Sequence, residues 1–212
     1  MREDSATLPH MCDDVTPAAA GTLGELQAAT DQEVRVSDTL QVLSDKQALH
    51  ELTLTYCRAC DRRDFALLRS LYHDDAVDDH GAMFRGSADE YLAWLPPVLA
   101  QFEATVHSIS NALFKVEGDA GHGELYTVAY HRTHPPAARE ILIGGRYLDR
   151  YQRRDGVWRF LHRSLALDWC RVQEVDTAAY REFAAGAPAG RTDEQDPSYL
   201  ALPWFGRHEQ RR

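Results

Sequence analysis

The apolar pattern of this chain changes period once, and that change limits the folds open to it. Up to Leu99 the apolar side chains recur at helical spacing. Beyond Thr105 they come in long extended runs. Leu49, Leu52, Tyr56, Ala59 and Cys60 share one helical face. Ser44-Asp45-Lys46-Gln47 reads as a capping box opening that helix, and Asp61–Arg63 as its end. Asp64 is placed to cap a short second helix with Phe65, Leu68 and Leu71 as its apolar face. Ser87-Ala88-Asp89-Glu90 repeats the capping-box pattern at the head of a third helix, which Pro96 and Pro97 are expected to kink or divide. Four segments rich in Val, Ile, Tyr, Trp and Phe then follow: Thr105–Val116, Glu124–Thr133, Ile141–Gln152 and Val157–Val172. Gly118–Gly123 separates the first two, and Arg154-Asp155-Gly156 is a tight-turn signal between the last two. Helices followed by a meander of long antiparallel strands predict an α+β fold, with the helices on one face of a curved sheet.

Residues 1–42 contain no Phe, Tyr or Trp and read as a mobile acidic arm, with a short helix near Leu23–Ala29. Residues 1–45 hold two basic and nine acidic side chains, so they carry −7 of the formal charge of −10. An acidic arm on a near-neutral body argues against nucleic-acid binding. No apolar run is long enough to span a membrane, and no secretory leader pattern is present, which points to a cytoplasmic protein. The four cysteines fit reduced thiols, with Cys57 and Cys60 as small apolar helix positions rather than a redox or zinc motif. Residues 43–175 form the expected body. Residues 176–212 read as a tail whose Tyr199, Trp204 and Phe205 dock on the body or on a neighbouring subunit.

The stretch Leu43–Val172 carries motifs that resemble the SnoaL-like branch of the nuclear-transport-factor-2-like superfamily. They are Tyr56-Cys-Arg-Ala-Cys-Asp61, Leu71-Tyr72-His73-Asp74-Asp75-Ala76, Gly145-Arg146-Tyr147-Leu148-Asp149-Arg150-Tyr151 and Asp155-Gly156-Val157-Trp158-Arg159-Phe160. The resemblance implies a cone: a curved antiparallel sheet and three N-terminal helices enclosing a pocket for a hydrophobic small molecule. Within the superfamily the chain is most similar to cofactor-free lyases, namely hexachlorocyclohexane dehydrochlorinase, bile-acid dehydratase, scytalone dehydratase and the diarylpropane lyases. This resemblance implies an Asp61–His107 pair, with Tyr56 where the bile-acid enzyme has a tyrosine and Arg163 matching an active-site arginine of the dehydrochlorinase. Tyr72 falls near a second tyrosine of scytalone dehydratase, and His131 is a candidate for that enzyme's second histidine. Tyr72, His131 and Trp94 are the expected substrate-binding residues. The resemblance further implies no cofactor and a homo-oligomer, with a trimer as the family-based expectation.

Each residue also has a plainer reading. His107 lies on a mostly apolar strand and is either a proton acceptor or a core histidine satisfied by a backbone carbonyl. Asp61 either orients that imidazole or punctuates the helix end, where the dipole disfavours a carboxylate. Tyr56 is about 140° around the helix from Asp61, so the two flank one cavity only if it wraps the helix end. Tyr56 either donates to a developing oxyanion or is a core aromatic. Arg163 alternates with Leu161, Leu165 and Leu167, so it needs a carboxylate or a bound anion, and Asp61 is one candidate partner. The run His73, Asp74, Asp75, Asp78, Asp79, His80 has ligand-like density, but it reads as capping and solvated residues at a helix-to-strand turn rather than a metal site. No GxGxxG or P-loop pattern is present. The functional expectation is a cofactor-independent lyase performing dehydration, another elimination or retro-aldol cleavage on an aromatic or polycyclic molecule. The alternatives are a non-catalytic small subunit of a ring-hydroxylating dioxygenase, and an isomerase or polyketide cyclase.

Overall fold

The computed structural model describes residues 36–136 and 138–205. The sequence-based helix near Leu23–Ala29, like the acidic arm up to Arg35, lies outside the described residues. Helix α1 runs over Val36–Asp61, α2 over Phe65–Ser70 and α3 over Ala88–Leu99. The strands are β1 (Tyr72–Asp79), β2 (Arg85–Ser87), β3 (Phe102–Glu117), β4 (Ala120–Thr133), β5 (Arg139–Arg154) and β6 (Val157–Glu174). They form one open six-stranded sheet in the order β2-β1-β6-β5-β4-β3. The class is α+β, as the period change implies.

Local chemistry accounts for the element ends. The Asp64 carboxylate accepts from the Leu67 amide at the head of α2, and Ser87 and Glu90 close a reciprocal capping box on α3. Asp155 (φ 52°) and Gly156 (φ 77°) turn β5 into β6 with both central residues in the left-handed region, the geometry a two-residue hairpin needs. Leu49, Leu52, Tyr56, Leu68, Tyr91, Leu95 and Leu99 bury the helical side of the core against Leu125, Tyr147, Tyr151, Trp158 and Phe160 from the sheet. Asp45, only 5% exposed, pins α1 to the sheet by accepting from Trp158 Nε1 (2.9 Å) and Arg153 Nη1 (2.8 Å).

Four sequence expectations need correction. Helix α1 starts at Val36, so Ser44 lies inside it and opens nothing. Its S-x-x-Q pattern is present, but Asp45 beside it is occupied by the sheet and by Gln41 Nε2 rather than marking a helix start. Pro96 and Pro97 do not divide α3, which continues to Leu99. Each removes one intrahelical donor, and buried Leu95 and Leu99 hold the segment to the core. The interval Gly118–Gly123 is mostly strand, with the turn confined to Gly118 and Asp119. The acidic run from His73 is not a turn but strand β1, which pairs parallel to β6 and antiparallel to β2. Its polar side chains disperse. Asp74 pairs with Arg69, Asp75 with Arg154, and His73 Nε2 meets the Gln152 carbonyl at 2.8 Å. Among the described residues no group of three His, Cys, Asp or Glu side chains converges as a metal site would require.

Beyond β6 come helices α4 (Thr177–Phe183) and α5 (Pro197–Ala201) and a 3-10 turn at Pro203–Phe205. Arg58 of α1 donates to Ser198 Oγ and to the Phe205 carbonyl and lies over the rings of Tyr199 and Phe205. Arg62 meets Asp196 at 3.3 Å, and the Arg132 guanidinium covers Tyr180. No described helix is long and apolar enough to cross a membrane.

Candidate active site

Asp61 is the last residue of α1, and Thr105 and His107 lie two apart on β3, so all three reach the same side of the sheet. His107 Nδ1 lies 2.7 Å from Asp61 Oδ1, and its backbone N–H donates to Asp61 Oδ2 at 2.9 Å. The Thr105 hydroxyl donates to Asp61 Oδ1 at 3.0 Å and accepts from Arg63 Nη1 at 2.8 Å. Arg63 adopts a positive φ of 55°, and its Nη1 also donates to the Cys60 carbonyl. Three donors therefore fix one carboxylate, and that carboxylate fixes one imidazole. The side chains of His107 and Asp61 are only 10% and 12% exposed, so the pair works in a low-dielectric setting. With Nδ1 held by Asp61, Nε2 is the nitrogen left for chemistry.

His107 stands in the wall of an apolar cavity of about 180 Å³. Tyr56 and Cys60 of α1, Trp94, Leu95 and Leu99 of α3, and Ile141, Ile143 and Tyr147 of β5 line it together with His107 and His131. The helix-end geometry expected for Tyr56 and Asp61 is therefore met in one respect: Tyr56 opens directly on the cavity, and Asp61 acts on it through His107. Tyr56 is 2% exposed, and its hydroxyl shares a 2.7 Å hydrogen bond with that of Tyr91. Burial pushes the Tyr56 hydroxyl well above its ordinary range, so it stays a phenol able to donate. The Cα positions of Thr105 and His131 are partners across β3 and β4, which brings the His107 and His131 rings to 5.5 Å, edge to face. Burial first, and the neighbouring His107 second, hold the His131 imidazole down at about 4. His131 is thus a neutral ring at neutral pH, resting on Phe102 at 4.8 Å. Burial pushes the Cys57 thiol up to about 12 and that of Cys60 upward as well, so both remain thiols.

Three expected site residues are not on this wall: Asp61, which reaches it through His107, and Arg163 and Tyr72. Arg163 is fully buried and forms a bidentate pair with Asp149, Nε to Oδ1 at 2.9 Å and Nη2 to Oδ2 at 2.7 Å. Its partner is therefore Asp149 and not Asp61. The guanidinium is enclosed by the rings of Tyr56, Tyr147 and Phe160 at 4.0–4.2 Å, behind the cavity rather than in it. Tyr72 is likewise sealed at 2% exposure and donates to Asp78 Oδ2 at 2.6 Å. Trp94 and His131 do stand at the cavity. Sequence reasoning missed Thr105, Arg63, Tyr91 and His80. The period-2 spacing of Thr105 and His107 was a usable signal. His80 was hidden in the acidic run.

The SnoaL-like domain model matches residues 41–164, more than half of the chain. The chain belongs to the SnoaL-like domain family. A scytalone dehydratase-like protein from Novosphingobium aromaticivorans DSM 12444 shares this SnoaL-like fold at 23% identity, over 63% of this chain and 90% of that one, with a TM-score of 0.57. A hexachlorocyclohexane dehydrochlorinase, LinA Type2, aligns at 22% identity over 62% and 90% of the two chains, with a TM-score of 0.54. An aromatic ring hydroxylase-like protein from N. aromaticivorans aligns at 18% identity over 65% and 97%, with a TM-score of 0.57. At these identities the likeness establishes the SnoaL-like fold alone. No curated protein sequence matches the chain.

Proposed function

We propose that this SnoaL-like protein is a cofactor-independent lyase acting on a hydrophobic aromatic or polycyclic small molecule. The observation that carries the reading is His107, fixed at Nδ1 by Asp61 at 2.7 Å and present in the wall of a largely apolar cavity. His107 Nε2 takes a proton from carbon or from a hydroxyl, and Asp61 holds the tautomer and stabilises the imidazolium as it forms. Tyr56 donates to the oxygen on which charge develops. Trp94 and His131 bound the ring system, and the neutral state of His131 keeps a second positive charge away from the imidazolium. The named activities of the scytalone dehydratase-like and dehydrochlorinase neighbours, an elimination in each case, favour a lyase over the other chemistries this fold hosts.

The test is turnover of hydroxylated aromatic and steroid substrates by the purified chain with no cofactor added, beside His107→Ala and Asp61→Asn. The reading predicts a loss of roughly 10²–10⁴-fold in the His107 variant, the range for removing a positioned base. Equal rates in all three proteins would end it. The rival reading, a supporting subunit of a ring hydroxylase, draws on the third neighbour. It predicts no turnover by the chain alone and stable capture of a larger catalytic chain.

A further inference from the structure

The cavity holds a second carboxylate–imidazole pair. His80 follows the end of β1 and lines the same apolar space as His107. Its Nδ1 stands 2.6 Å from Asp78 Oδ1, out of line for a straight hydrogen bond. Its ring lies flat on Tyr91, with centroids 5.5 Å apart and planes within 13°. Trp94 flanks it at 6.3 Å. The backbone N–H of His80 donates to the Phe84 carbonyl at 2.7 Å and fixes the loop that carries it. The ring is therefore held on one face by Tyr91 and flanked by Trp94 and Asp78. Nδ1 lies on the Asp78 side of the ring, which leaves Nε2 as the nitrogen for a ligand.

The two pairs differ in how their carboxylates are satisfied. Asp61 accepts from the Thr105 hydroxyl and the His107 amide, with Arg63 close by on Thr105. Asp78 is fully buried, and among the described residues its recorded polar contacts are the Tyr72 hydroxyl and His80. Arg163 sits across from Asp78 in the β1–β6 register, but its fork is taken by Asp149. A buried carboxylate so placed calls for a further donor, and His80 Nδ1 is the group beside it. The charged and titratable groups around His80 are Asp78 from β1, Tyr91 from α3 and, behind Asp78, Tyr72 and Arg163.

We propose that His80, held by Asp78, is the general acid of the cavity and a second catalytic residue opposite in role to His107. The inference rests on the lyase reading above and assigns to it a substrate with a poor oxygen leaving group. In the elimination, His107 Nε2 takes the carbon-bound proton, and that electron pair becomes the new carbon–carbon π bond. The carbon–oxygen bond breaks, and the departing oxygen takes the proton from His80 Nε2, leaving as water or an alcohol. The ring protons then redistribute through solvent, which restores both histidines.

The probe is 4-nitrophenol, a single ring whose phenolate absorbs distinctly from its phenol. It is titrated into the full chain in a buffer where most of the free probe is neutral. The proposal predicts that bound probe shows the phenolate band, because a protonated His80 donates to the oxyanion. It predicts that His80→Gln loses the band and binds at least roughly tenfold more weakly, as expected for a lost charge-assisted hydrogen bond. Asp78→Asn should do the same, and His80→Phe, which keeps the stacking on Tyr91, serves if the buried Asp78 variant fails to fold. His107→Gln should keep the band. A band that survives in His80→Gln and His80→Phe but vanishes in His107→Gln overturns the proposal and leaves the lyase reading standing. Equal loss in both sets overturns the division of roles. No binding at all overturns the proposal together with the reading of this cavity as a ligand site.

Discussion

Arg163 offers the sharpest separation of a structural from a chemical role. Replacing Asp149 by Leu leaves the guanidinium fully buried with no carboxylate, and also removes the acceptor of the Tyr151 hydroxyl at 2.7 Å. Breaking a buried ion pair from one side costs about 3–5 kcal/mol, of which the orphaned hydroxyl accounts for about 1–3 kcal/mol. Replacing Arg163 by Met in the same chain removes the stranded charge and keeps an apolar side chain among Tyr56, Tyr147 and Phe160. The double variant should therefore lose only the hydroxyl's share, about 1–3 kcal/mol, and recover about 2 kcal/mol relative to Asp149→Leu. Urea unfolding of the native chain, both single variants and the double variant measures this directly. A double variant as unstable as Asp149→Leu, or an Asp149→Leu within about 0.5 kcal/mol of native, would refute the reasoning.

Other outcomes follow from the same geometry. His131 is held at about 4 against an ordinary 6.5, so the unfolded chain binds its proton first as pH falls. Stability is fully present above pH 6.5 and is lost between 6.5 and 4, by at most about 3 kcal/mol; His131→Phe should flatten that part of a stability-against-pH curve. Gly145→Ala places a Cβ 2.5 Å from the Ala166 carbonyl oxygen at the β5–β6 bulge, and it should lower stability by about 1–3 kcal/mol in urea unfolding. Asp45→Ala removes the acceptor of Trp158 Nε1 and should cost about 1–3 kcal/mol, with a change in Trp158 fluorescence in the folded state.

The sequence was informative where local rules act alone. The capping box at Ser87, the cap at Asp64 and the Asp155-Gly156 turn are each set by residues within a few positions, and each stands in the fold. Strand β1 was illegible because Asp and His are poor strand formers, and a register shift between Tyr72 and Val77 breaks the alternation that would have marked it. Missing β1 hid the Asp78–His80 pair. The partner of Arg163 was lost to a bulge. Counting back from the Arg154–Val157 turn pairs Asp149 with His162, and only the register shift at Arg150/Tyr151 brings Asp149 opposite Arg163. The meeting of Asp61 and His107 joins a helix end to a strand 46 positions later, and no periodicity in either segment implies that contact. The motif resemblance was what pointed to it.

The account depends on Asp61 directing which His107 nitrogen is free. The ¹⁵N spectrum of histidine-labelled protein, with His107 assigned by its loss in His107→Gln, reads this directly. The neutral ring should carry its hydrogen on Nδ1 and leave Nε2 bare, and Asp61→Asn should disturb that preference. A native His107 ring whose neutral form is protonated at Nε2 would contradict the account.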